Sequence, residues 1–295
     1  MAKGQRDYMM GGMTVRAITI AILAVSGVMS ADVQAQWLQY RAKGVPRTAD
    51  GKVDMSAKAP RASDGKPDVS GVWRAAPTPA DELIRLIGDV DTLSVPGDDA
   101  RTFNKYLFNI LADFKPGEEP MRPETAEIFK QRAPNAGRDF PTGHCLPAGV
   151  PTSWMIPIPL KIVQTPGLIA VLFEGDNTIR QIYTDGRTHP ADPYPFWLGY
   201  SIGKWERDTL VVDTVGFNDK SWLDAPGHPH SDALHVVERL RRRDFGHIDV
   251  EATIDDPKMY TRPFTIKFAL LLQPDTDILE LYCAENEKDR AHMGR

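Results

Sequence analysis

The sequence predicts a mainly β protein, an antiparallel up-and-down barrel with a few helices in an N-terminal insertion, and three observations carry that expectation. From Leu160 onward, short runs of alternating apolar and polar residues are separated by turn signals, the pattern of hairpins rather than of βαβ units. A strong helical stripe occurs ahead of that half, in Asp99 to Phe114. A meander of nine or so strands must either close or leave unpaired edges, and closure removes them.

The elements follow in chain order. Met13 to Ala35 has the form of a secretory signal. Arg16 supplies the positive start, Ala17 to Met29 an apolar and small stretch, and Val33-Gln34-Ala35 a small-x-small cleavage site. The apolar stretch is about 13 residues, short of the roughly 20 that a membrane-crossing helix needs. Residues 1–35 are therefore expected to be a signal peptide, and the mature protein to be periplasmic or secreted with no integral membrane segment. Residues 36–68 are polar with little apolar periodicity and are expected to be a flexible lead. Within it, Asp50-Gly51-Lys52 is echoed 14 residues later by Asp64-Gly65-Lys66. The motif resembles a calcium loop but has no Glu at its twelfth position, so paired turns are expected.

Residues 69–295 are expected to form one barrel domain with a helical insertion at about 78–150. A strand is expected at Val69 to Trp73, and short helices at Ala80 to Ile87 and from Pro123 to about Arg132. A long helix is expected at Asp99 to Phe114, because Phe103, Tyr106, Leu107, Ile110, Leu111 and Phe114 fall on one face at helical spacing. Later strands are expected at Leu160–Gln164, Leu168–Glu174, Thr178–Thr184, Gly199–Trp205, Thr209–Phe217, Leu234–Arg242, His247–Thr253, Phe264–Leu272 and Ile278–Ala284. Pro166-Gly167 joins the first two by fixing one turn dihedral and accepting a positive one.

The chain has 35 basic and 40 acidic residues and a net charge of −5, which argues against nucleic acid or an anionic membrane as a general partner. Its densest basic run, Arg239 to Arg243, fits a solvated strand end. Two cysteines, Cys145 and Cys283, are expected to pair across a 138-residue separation, the alternatives being two separate buried thiols or, behind both, a free catalytic Cys145 beside His144.

Gly71-Val72-Trp73 resembles the Gly-x-Trp element on the first strand of lipocalins and related calycin barrels. The resemblance implies a barrel whose end is plugged by the tryptophan. The block from Trp197 to Thr214 resembles a family of uncharacterised exported bacterial proteins, a likeness that runs from about His144 to Asp289 and implies no activity. Ordinary lipocalins lack the long stretch between Trp73 and Leu160.

Candidate chemistry is spread over the second half. His228 and His230, followed by His235 and Glu238, could chelate a metal, although the spacing departs from that of a facial triad and the bland alternative is a hydrogen-bonded loop. Asp213 sits within an apolar strand. Facing inward it would suit acid or base work, while facing outward it would leave Leu210, Val212 and Thr214 to line the core. Arg180, Tyr183, Trp197, Asn218 and Trp222 are the guanidinium, amide and aromatic groups that an organic-ligand pocket needs, and Glu285 would reach a barrel mouth. No nucleotide fingerprint, nucleophile elbow or zinc-hydrolase motif occurs, and no cofactor is implied.

The expected function is binding of a small hydrophobic or aromatic organic ligand by an exported barrel. The alternative is a cofactor-free hydrolase, lyase or isomerase in the barrel mouth, using Asp213, His228, His230 and Glu238. A metal site at His228 and His230 is the lesser alternative.

Overall fold

A computed structural model of the protein describes residues 41–87, 103–135, 138–175 and 177–283. The expected signal peptide and Glu285 lie outside the described residues.

Nine strands form one closed barrel in sequence order: β1 (Gly71–Ala75), β2 (Leu160–Thr165), β3 (Leu168–Phe173), β4 (Thr178–Tyr183), β5 (Tyr200–Glu206), β6 (Thr209–Val215), β7 (His235–Arg242), β8 (His247–Asp255) and β9 (Phe264–Leu272). Closure comes from β1, which pairs with β2 on one side and with β9 on the other through Trp73 and Leu272. The barrel is mixed, because β4 and β5 run parallel and meet only at Ile182 with Ser201 and at Tyr183 with Ile202. The sequence expectation of an antiparallel meander is corrected here. Residues 184–199 carry the chain back to the starting end before β5 begins, and a parallel pair requires such a crossover.

The expected last strand, Ile278–Ala284, is also corrected. Residues 278–283 are irregular, since β1 has taken the edge of β9 that they would have used. They are held instead by Lys161 to Asp277, by the Leu279 amide on Glu174, and by a disulfide between Cys145 and Cys283.

Alternation along the strands fills the lumen with one continuous apolar cluster, including Ile162, Ile169, Val171, Ile182, Val212, Val236, Leu240, Val250, Ile254, Ile266 and Leu270. One end is sealed by Trp73, fully buried, with its indole N–H donating to the Val69 carbonyl. The Arg242 guanidinium lies 4.8 Å from its ring and donates to the carbonyls of Asp68, Ser70 and Phe245. Gly71 is required at φ 142°, because a Cβ there would stand 2.7 Å from Leu272 Cδ1.

The opposite end is covered by the insertion. Helix α1 (Ala80–Ile87) and α3 (Pro123–Arg132) fall where the sequence puts them. The long central helix does not form: of Asp99 to Phe114, residues 99–102 lie outside the described residues, and α2 is the single turn Lys105–Phe108. Its apolar face is nevertheless buried at Phe103, Tyr106, Leu107, Ile110 and Leu111. Tertiary partners replace the helical bonds. Asp224 Oδ2 accepts from the Ile110 amide at 2.8 Å, and the Leu107 carbonyl accepts from Ala225.

The expected flexible lead is docked over residues 41–68. Its two Asp-Gly-Lys turns are near copies, bridging Arg47 with Val53 and Arg61 with Pro67, with Gly51 and Gly65 at φ 83° and 80°. Met55 and Ala57 accept backbone bonds from Gly246 and Phe245, and Arg47 pairs with Asp275.

Candidate functional site

Inward positions on β4, β5, β6 and β7 bring Arg180, Ser201, Thr214 and Glu238 together, each at most 1% exposed. Arg180 donates from Nη1 to Glu238 Oε1 at 3.1 Å and from Nη2 to Glu238 Oε2. It also donates from Nε to Ser201 Oγ at 3.1 Å and from Nη2 to Thr214 Oγ1 at 2.9 Å. Trp154, entering from the short turn Thr152–Trp154, donates its indole N–H to Glu238 Oε1. The guanidinium fork matches a carboxylate in two parallel bonds, so each charge finds its opposite and nearly all its hydrogen-bond partners inside the apolar lumen.

The brevity of the β4–β5 pairing opens the wall beside this pair. Residues 196–199 lean toward β6, where Phe196 bridges Phe217, so the start of β4 is left without a strand alongside. A pocket of about 300 Å³ occupies the seam. Residues from both faces of β4 line it: Thr178 and Arg180 point inward, whereas Ile179, Gln181 and Tyr183 point outward. Because neighbouring side chains of a strand point to opposite faces, one pocket can touch both sets only where the wall is breached. Phe196, Trp197, Leu198, Tyr200 and Pro147 supply the apolar walls. Tyr183 stacks on Tyr200 at 5.4 Å, and Arg187 covers the Tyr183 ring at 3.8 Å. The Thr178 hydroxyl is buried without a hydrogen-bond partner, which makes it a group in need of one.

Two other hollows are less suited to an organic molecule. One of about 330 Å³ lies between the lead and the sealed end, where Lys161 pairs with Asp277 and Arg242 is bound to backbone carbonyls. One of about 460 Å³ on the outer wall is bordered by Arg239 and Lys267, which pair with Glu206 and Glu251.

The remaining sequence candidates are dispersed. Asp213 points out of the barrel, half-exposed, and its Oδ1 accepts from His189 Nε2 at 2.8 Å and from His235 Nε2 at 3.0 Å. The inward side of β6 is Leu210, Val212 and Thr214. His228 and His230 lie in the buried loop over the insertion end and diverge. His228 Nδ1 donates to Asp224 Oδ2 and its ring stacks on Phe129 at 3.9 Å. His230 Nε2 accepts from Ser221 Oγ at 2.7 Å, while its Nδ1 donates to the Ser231 carbonyl at 3.0 Å, so both nitrogens are engaged and a chelate with His228 does not form. Among the described residues no group of three His, Cys, Asp or Glu side chains is arranged to hold a metal ion.

Burial lowers the affinity of His230 for a proton, so it is held below the ordinary imidazole range. Although Ser221 and His230 have the bond of a nucleophile and base, the Gly149 backbone closes over the hydroxyl. A Cβ at Gly149 would lie 2.2 Å from Ser221 Oγ, leaving no space for a reacting atom. Trp222 packs on Phe140 beneath Arg132, and the half-buried Asn218 accepts from the Lys220 amide with its Oδ1, so neither joins the seam. Asp213, His228, His230 and Glu238 thus occupy three separate environments.

Sequence reasoning reached Arg180, Glu238, Tyr183 and Trp197, named Thr214 only as a core-lining position, and missed Thr178, Ser201, Tyr200 and Trp154. Strand parity carried the signal for Ser201 and Thr214, once the inward phase of β5 and β6 is known. Nothing local marked Trp154. No family model, no curated protein and no solved structure matches this chain.

Proposed function

We propose that the protein is an exported binding barrel that holds a small hydrophobic or aromatic organic ligand in the seam between β4 and β5. The single observation that carries this reading is the breach itself, an aromatic-walled pocket of about 300 Å³ whose lining includes Thr178 and Arg180. Apolar walls with few convergent polar groups are the general character of small-molecule sites. Because the lumen is filled by side chains, the ligand enters from the side and not along the barrel axis. Export is supported by the signal-like first 35 residues and by a disulfide, which suits an oxidising compartment. Kinship with calycin barrels rests on Gly71-Val72-Trp73 sealing one end beneath Arg242, with the parallel β4–β5 pair as the departure from an up-and-down meander.

The test is a titration of the mature protein with 2-methylnaphthalene, followed by tryptophan emission and by calorimetry. Saturable quenching at micromolar concentration is expected, and Trp197→Phe should remove most of the quenching while the calorimetric signal persists. Absence of binding, or binding that survives Phe196→Asp together with Tyr200→Asp unchanged, would place the ligand elsewhere or nowhere.

A further inference from the structure

We infer that the seam pocket selects neutral hydrogen-bonding groups, such as an amide, ketone or hydroxyl on an aromatic body, and discriminates against carboxylates. This deepens the proposed function and rests on it. A buried arginine at the foot of an aromatic pocket would ordinarily suggest an anion, but here the donors are already spent. Of the five N–H groups of Arg180, one goes to Ser201, two to Glu238 and one to Thr214, which leaves a single Nη1 hydrogen. Glu238 opposes the charge through two parallel bonds to the guanidinium. Among the described residues lining the pocket, Arg180 is the one that carries a charge, so no second cation awaits a ligand.

A carboxylate arriving there would bring a second negative group toward Glu238 and would meet no unpaired cation among the lining residues. The penalty is uncompensated. A neutral amide loses far less on desolvation. Its carbonyl can accept the Thr178 hydroxyl proton, or its N–H can satisfy Thr178 Oγ1, once the seam side chains shift to uncover that buried, unpartnered group.

Three ligands of one shape separate the possibilities on the mature protein at pH 7.5: 2-methylnaphthalene, 2-naphthamide and 2-naphthoate, measured by calorimetry. The amide is expected to bind about tenfold or more tightly than the carboxylate, a gap of about 1.4 kcal/mol. Thr178→Val should weaken the amide about fivefold and leave 2-methylnaphthalene unchanged. Glu238→Gln uncovers the charge of Arg180 and should raise the affinity for 2-naphthoate about tenfold. Equal or tighter binding of 2-naphthoate by the unsubstituted protein overturns the inference, as does a Thr178→Val protein that keeps full affinity for the amide. If Glu238→Gln fails to fold, those two measurements decide. If 2-methylnaphthalene binds and the amide has no advantage over the carboxylate, only the selectivity falls. If neither neutral compound binds, the seam-pocket reading falls with it.

Discussion

Glu238 and Arg180 show how a single residue's meaning depends on what faces it. Each is an expensive group to bury and is tolerable because the other is there. Removing one is expected to cost about 3–5 kcal/mol, whereas Arg180→Met with Glu238→Leu should cost about 1–3 kcal/mol, because the pair's attraction mainly offsets its own desolvation and what remains is the buried Trp154 indole N–H left without its acceptor. Urea denaturation of the two single variants and the double variant measures the difference. His230 has its own pH signature. Its affinity for protons is lower in the folded protein than in the unfolded chain, so the unfolded state takes up more protons as pH falls below about 6.5. Its contribution is therefore intact above that pH and declines below it. His230→Gln should flatten part of the loss of stability between pH 7 and pH 5, and an unchanged slope would show that His230 is not buried neutral. At this scale the sequence supplied the residue types and not their orientation. β6 is apolar on both faces through Leu210, Val211, Val212 and Val215, so alternation alone could not tell which face Asp213 shared.

Elements were legible where local physics suffices to make them. Pro at the first position begins α3, and Pro166-Gly167 turns β2 into β3 at the expected places. The stripe from Phe103 to Phe114 was apolar for the right reason, burial, but the wrong geometry, because Asp224 and Ala225 supply backbone partners that an isolated segment could not foresee. Asp224 ties that crossing by accepting from the amides of Ile110, Gly227 and His228 and from the His228 ring. Asp224→Ala should cost about 3 kcal/mol or more, since several buried donors lose their acceptor together. Hydrogen exchange at Ile110, Gly227 and His228 should accelerate first. The parallel seam depends on Gly203, where a Cβ would stand 2.8 Å from Ile182 Cγ2 and 2.9 Å from Thr184 Cγ2. Gly203→Val is expected to destabilise by about 1–3 kcal/mol through overpacking and to prise β4 from β5, which a denaturation midpoint and faster exchange at Ser201 would register.

For the molecule as a whole, the disulfide clasps irregular chain and not a barrel strand. It joins Cys145, beside the turn Pro141–His144, to Cys283 at the end of the coil that follows β9. Closing a 138-residue separation is worth about 2–4 kcal/mol. Cys145→Ser with Cys283→Ser should lower stability by that amount, with the greatest gain in exchange over residues 276–283 and little over β6 to β8. A barrel-wide increase instead would mean that closure itself depends on the bond. What the sequence determined by itself was nine of the ten expected strands, their hairpin turns and the two Asp-Gly-Lys turns, because alternation, proline and glycine act over a few residues. The direction of β4 against β5, the salt bridge across the lumen and the breach in the wall were decided by tertiary structure alone. Each joins residues tens of positions apart, and the free energy that fixes them, pairing of buried charges and closure of the last strand edge, exists only once the barrel has formed.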